Sequence, residues 1–139
     1  VRHGLNRDLG FSPPERAENV RRLAEVAHIL ADAGLIAIVA AIAPYAQDRA
    51  NARAIAKDVP FYEIFVDTPL DVCAARDPKG LYRRARQGLV SDFTGVGAPY
   101  ERPQAPDLRL DGTAETPRQE AGRIIDLLAA RGHVPTPTG

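Results

Sequence analysis

The stretch LIAIVAAI, residues 35–42, decides the fold class. It is apolar without a break and in part β-branched, which predicts a strand buried on both faces, as in a parallel sheet. Immediately upstream lies SPPERAENVRRLAEVAHILADAG, residues 12–34. Ser12 is placed as an N-cap, Pro13 at the first helical position and Glu15 three residues after the cap, the pattern of a capping box. Val20, Leu23, Ala24, Ala27, Leu30 and Ala31 recur at helical spacing, and Gly34 is a stop. A helix over 13–33 with one apolar face is predicted.

Downstream the alternation continues. APYAQDRANARAIAKD (43–58) reads as a turn and a helix, and PFYEIFVD (60–67) as a second strand. TPLDVCAARD (68–77) predicts a short helix with Thr68 as cap and Pro69 at its first position. PKGLYRRARQG (78–88) is basic and mostly helical, residues 89–107 are loop-like, and LRLDG (108–112) is a short strand. A closing helix follows Thr116, where Pro117 and Gln119 repeat the capping pattern. The tail from His133 is expected to fray. Strands alternating with helices give an α/β class with a mainly parallel sheet. Two or three strands make a thin sheet, so a further strand and helix are expected on the N-terminal side of this sequence.

Composition narrows the function. The chain has 139 residues, with 18 basic and 18 acidic side chains and a formal charge of zero. A general nucleic-acid binder carries a basic excess, so none is expected here. Cys73 is the single cysteine, which excludes a disulfide framework or a cysteine-based metal site and fits a reducing compartment. No apolar run reaches the length of a membrane span.

In open α/β sheets, ligands bind beyond the carboxyl ends of the strands. IAPYAQDR (42–49) and DTP (67–69) occupy such positions. Lys79, Arg83 and Arg86 fall at i, i+4 and i+7, with Arg76 just ahead. They read either as a phosphate clamp or as a solvated helix face. Phe11 and Phe93 sit in glycine-containing loops, where they either stack on a base or plug a local core. Arg16 and Asn19 lie one turn apart on the first helix. Arg16 there either grips an anion at the helix start or is exposed. His3 and His28 lack ligand-like spacing, so no metal site is assigned.

Four segments together resemble the adenylyl-sulfate kinases: VRHGLNRDLGFSPPERAENVRRLAEVA (1–27), IAPYAQDRANAR (42–53), FYEIFVDTPLDVCAARDPKGLYRRAR (61–86) and DFTGVGAPYERP (92–103). They run in order to about residue 111, and the final helix fits by position. The resemblance implies a P-loop kinase-like three-layer fold. One kinase domain over 1–139 is expected, incomplete at its N-terminus, with a lid at about 76–97. The implied activity is transfer of the ATP γ-phosphoryl group to the 3′-hydroxyl of adenosine 5′-phosphosulfate, with Mg²⁺, in the cytoplasm. A homodimer and a sulfurylase domain or subunit as partner are also implied.

Matched residue by residue, the family assigns substrate contacts to Arg2 and Phe11. The phosphosulfate and adenosine are gripped by Arg16 and Asn19. Phe93 stacks on the adenine face opposite Phe11. Ile42, Pro44 and Tyr45 line the acceptor pocket. Lys79 and Leu81 belong to the lid, where Lys79 stabilises charge, and Arg76 lies near the ATP adenine. Two departures stand out. The family's phosphate loop, G-x-x-x-x-G-K-[ST], and the acidic base after it would lie upstream of Val1. Ala43 replaces a serine common in the family. Together they raise a rival expectation, a catalytically inactive domain that binds adenosine 5′-phosphosulfate and serves regulation or scaffolding. A related kinase with another acceptor is a third, against which Arg2, Phe11, Arg16, Asn19 and Phe93 jointly weigh.

Overall fold

The structure is a computed structural model that describes residues 3–90 and 93–135. The chain divides into two compact units, residues 1–61 with 84–102, and residues 62–83 with 103–139.

The first unit is built on α1 (Pro13–Asp32) and α2 (Ala46–Ile55), which pack together. Helix α1 starts where local chemistry predicts. Ser12 is extended, Pro13 opens the helix, and the Glu15 carboxylate accepts from Ser12 N–H at 3.1 Å and Gly10 N–H at 2.8 Å. At the other end Gly34 takes φ +85°, and its N–H and that of Leu35 return to Ala31 and Leu30 carbonyls. That left-handed step is what glycine supplies without a Cβ clash. The core is small: Val20, Ala24 and Ala52 are buried, with Ala43, Ile55 and Phe61 packed against them.

The turn before α1 is tied to it by polar contacts. Asn6 is fully buried and its Nδ2 donates to Asn19 Oδ1 at 2.8 Å. Arg22 forks onto the Asp8 carboxylate at 2.7 and 2.8 Å and also donates to Leu5 O. The guanidinium beside Asp8 holds that carboxyl below its ordinary range.

The predicted strand over 35–42 is not formed. Among the described residues the segment 36–42 has no hydrogen-bonded strand neighbour, and Ile38 is 88% exposed. A doubly buried strand requires a neighbour along its edges. The strands that do pair among the described residues belong to the other unit.

In that second unit β1 (Ile64–Val66) pairs in parallel with β2 (Leu108–Leu110), Phe65 opposite Arg109. The strand predicted over 60–67 is thus trimmed to the three residues its short partner can pair. Phe65 and Leu110 are buried, and α5 (Pro117–Ala130) packs on β2. The Thr116 cap of α5 forms as predicted, with Thr116 N–H donating to Gln119 Oε1 at 2.9 Å. Helix α3 (Leu70–Arg76) begins one residue later than expected. Pro69 is its cap, because the Pro69 carbonyl takes the first helical bond, from Cys73 N–H. Buried Asp67 accepts from Arg109 Nε at 2.7 Å.

Lys79 does not share a helix face with Arg83 and Arg86. Helix α4 spans Leu81–Arg86, and Gly80 before it takes φ +65°. The Asp77 carboxylate starts α4 by accepting from Tyr82 and Arg83 N–H at 3.1 and 3.0 Å. Partial burial acts to raise the Asp77 pKa, but the amides of Arg83, Tyr82 and Leu81 outweigh it and hold the carboxyl below its ordinary value.

Candidate functional site

Within the first unit a cleft of about 420 Å³ runs along α1. Its floor is apolar, from Val20, Leu23, Ala27 and Leu30, and the 37–44 segment forms the facing wall. Polar groups are few and placed at one end: Arg16 and Asn19, beside Phe11. An apolar groove with a few fixed polar groups is the usual form of a small-molecule site.

Each polar side chain is pre-set. Arg16 Nε donates to Phe11 O at 2.8 Å and Nη1 to Thr94 Oγ1 at 3.3 Å, with the guanidinium 5.7 Å from the Phe11 ring centre. The Asn6 bond fixes the Asn19 amide, directing its oxygen into the protein. Phe11 is 59% exposed.

Six residues singled out from the sequence therefore meet here: Phe11, Arg16, Asn19, Ile42, Ala43 and Pro44. Tyr45 caps α2 and is not among the lining residues. Phe93 is half-buried in the same unit, its carbonyl accepting from the amides of Val96, Gly97 and Ala98. It does not line the cleft, but its neighbour Thr94 touches Arg16. Arg2 lies outside the described residues.

The other predicted residues belong to the second unit. Arg76 and Lys79 line a hollow of about 590 Å³ together with Asp77, Gly80 and Arg83. Arg76 Nη2 is held by Gly112 O at 2.7 Å. A side chain at Gly112 would press on the Thr68 hydroxyl, which would have to move. Leu81 opens α4 and is not part of the hollow's lining. Among the described residues no group of three or more His, Cys, Asp or Glu could hold a metal ion.

Sequence reasoning missed the polar groups that shape the 43–46 turn. Arg49 Nη1 donates to Ala43 O at 2.9 Å, and Glu101 Oε2 accepts from Ala46 N–H at 2.6 Å. Nearby Asp48 is buried, which pushes its carboxyl pKa up; the Glu101 charge adds to this and Arg49 opposes it. Only the basic and acidic residues following Pro44 hinted at this, and their spacing carries no partner information.

Comparison with known proteins supplies what the geometry alone leaves open. The family described as Adenylylsulphate kinase matches residues 1–111. This chain belongs to the adenylylsulphate kinase family. It is 54% identical over 132 residues to the bifunctional enzyme NodQ of Azospirillum brasilense, covering 95% of this chain and 21% of that protein. It is 53% identical over 130 residues to the bifunctional enzyme CysN/CysC of Mycobacterium tuberculosis, covering 92% of this chain and 21% of that protein. The chain thus spans about a fifth of the length of these curated relatives. The structure of the Mycobacterium tuberculosis APS kinase CysC in complex with AMPPNP and APS superposes with a TM-score of 0.89 at 53% identity, over 91% of this chain and 74% of that one. The crystal structure of APE1195 superposes at 0.80 with 36% identity, over 93% and 73%. The α/β class and the kinase fold of the family are therefore those of this chain.

Proposed function

We propose that this chain transfers the γ-phosphoryl group of ATP to the 3′-hydroxyl of adenosine 5′-phosphosulfate, giving 3′-phosphoadenosine 5′-phosphosulfate. The observation that carries this reading is the meeting of Phe11, Arg16, Asn19 and Ile42–Pro44 on one cleft, in a chain of the adenylylsulphate kinase family. The mycobacterial relative is described as bound to AMPPNP and APS, which supports both nucleotides as ligands.

In this reading the acceptor binds in the α1 cleft. Its adenine packs on the exposed Phe11 ring, with Phe93 on the opposite face. The Arg16 fork pairs with the phosphosulfate, as guanidinium geometry suits phosphate oxygens. The Asn19 oxygen is already engaged, so its amide N–H groups serve the ligand. Arg2 joins the substrate contacts, and Ile42, Pro44 and Tyr45 shape the pocket wall. The 76–97 segment acts as a lid within a single kinase domain over 1–139. In that lid Lys79 neutralises charge developing on the transferred group, Leu81 covers the ligands and Arg76 lies by the ATP adenine. Such transfer depends on positioning and charge neutralisation more than on covalent help, and a closed lid excludes water. Mg²⁺ would accompany the ATP phosphates. Among the described residues no group of three or more His, Cys, Asp or Glu could hold it. Relatives named bifunctional, of which this chain spans a fifth, support a neighbouring domain, for which we propose a sulfurylase. A cytoplasmic homodimer with no nucleic-acid partner completes the proposal. No helix among the described residues is long and apolar enough to cross a membrane.

The test is ATP-dependent phosphorylation of adenosine 5′-phosphosulfate by the whole protein with Mg²⁺. Matched formation of ADP and the 3′-phosphorylated product is expected. Ala43, standing in the serine position, favours the second reading, a binding domain without turnover. Retained acceptor binding with no product would select it.

Two substitutions probe the roles. Phe93→Ala is expected to weaken acceptor binding by about 1–3 kcal/mol, the worth of one base–aromatic stack. Calorimetry with adenosine 5′-phosphosulfate checks it, and unchanged affinity would remove Phe93 from the site. Lys79 is exposed. Lys79→Ala should leave stability within about 0.5 kcal/mol while kcat falls about tenfold. A fully active variant would end the lid assignment.

A further inference from the structure

The Ala43–Ala46 turn is held in a conformation it would not adopt alone. Ala43 takes φ +40°, within the left-handed region that favours glycine. For an alanine this is a strained backbone that persists only where its surroundings fix it. The surroundings are specific. Arg49 Nη1 pulls on Ala43 O at 2.9 Å from one turn into α2. Glu101 holds the turn at two points: its N–H donates to Pro44 O at 2.8 Å, and its Oε2 accepts from Ala46 N–H at 2.6 Å.

Glu101 also ends a segment whose other end is fastened across the cleft. That segment begins at Phe93 and Thr94, and Thr94 Oγ1 accepts from Arg16 Nη1. The Thr94–Ala98 bridge folds it into a tight turn between the two attachments. One short strap therefore joins Arg16 on α1 to the wall that Ala43 and Pro44 contribute.

We propose that Glu101, with Arg49, is a positioning residue for the acceptor site: it clamps the Ala43–Ala46 turn to the Phe93–Glu101 strap and so preforms the cleft before the nucleotide arrives. This rests on the reading of the cleft as the site for adenosine 5′-phosphosulfate. Glu101 is exposed and touches no proposed reacting group, so its effect passes through the turn. Losing the clamp lets Ala43 relax, and each binding event must then rebuild the strained turn.

The test compares wild type, Glu101→Ala and Glu101→Gln in the whole protein. Adenosine 5′-phosphosulfate binding is measured by calorimetry, and KM for each nucleotide by steady-state kinetics. Glu101→Ala should weaken acceptor binding about five- to tenfold and raise acceptor KM alike, with the KM for ATP unchanged. Glu101→Gln keeps an oxygen acceptor for Ala46 N–H and should stay within about twofold of wild type. Arg49→Lys, which loses the fork that reaches Ala43 O, should weaken acceptor binding in the same direction. Amide exchange at Ala46 should quicken in Glu101→Ala and not in Glu101→Gln. If wild type binds the acceptor and Glu101→Ala binds it equally well, the clamp is refuted while the site stands. Equal losses in Glu101→Ala and Glu101→Gln also refute it, since charge rather than the cap would then matter. Absence of acceptor binding by folded wild type refutes the site itself.

Discussion

Phe65→Ala is expected to destabilise the fold by about 3–5 kcal/mol, the usual loss for emptying a buried phenylalanine site. Phe65 is 6% exposed and Leu110 2%, and they are the buried hydrophobic residues of the second unit among those described. One substitution thus removes half of that short list. Folded domains keep only about 5–15 kcal/mol in reserve, so the loss is a large share of it. Val66, next in the strand, is 59% exposed, and Val66→Ala should cost well under that. The chain has no tryptophan, so unfolding is followed by far-ultraviolet circular dichroism against urea. Exchange of the Asp67 amide, bonded to Leu110 O at 2.8 Å, reports on the β1–β2 pair directly. A Phe65→Ala protein as stable as Val66→Ala would mean the β1–β2 pair is not where stability resides.

The features read correctly from the sequence are those set by neighbours in sequence. Ser12, Pro13 and Glu15 start α1, and Thr116, Pro117 and Gln119 start α5, because a cap is completed within four residues. Gly34 ends α1 for the same local reason. Misreadings arise where the deciding partner is distant or subtle. Residues 35–42 have the composition of a buried strand, yet pairing depends on neighbours that no local pattern reveals. The run of basic residues from Lys79 looked like one helix face. An Asp77 carboxylate capping α4 and a left-handed Gly80 instead leave Lys79 ahead of the helix.

The candidate site divides in the same way. Residue types suggested that Arg16 and Asn19 share a face, since three positions on a helix fix that. Their meeting with Ile42, Ala43 and Pro44 was suggested by family resemblance, not by spacing. The Glu101 contact with Ala46 spans 55 residues and left no sequence signal. A carboxylate followed by Arg102 and Pro103 resembles any polar loop until the fold shows what it caps.

Arg16→Ala is expected to weaken adenosine 5′-phosphosulfate binding by about 3–4 kcal/mol, a loss of a few hundredfold. The side chain is the charged group at the polar end of the α1 cleft, and Phe11 O and Thr94 Oγ1 aim it before any ligand binds. A pre-aimed guanidinium gives up little side-chain freedom on binding, so most of its attraction for an anion is retained. Its removal also frees the Thr94 end of the strap, so the loss should exceed that of Phe93→Ala. Arg16→Lys separates the two effects. It keeps the charge but not the planar fork, and should recover only part of the affinity. The Arg16 hydrogen bonds to Phe11 O and Thr94 Oγ1 are exposed or half-buried, so losing them should cost the fold no more than about 1 kcal/mol. Calorimetry at two salt concentrations, with urea unfolding as control, decides the matter. A folded Arg16→Ala protein that binds the acceptor with wild-type affinity would exclude the α1 cleft as its site, because no other charged side chain lines that cleft among the described residues.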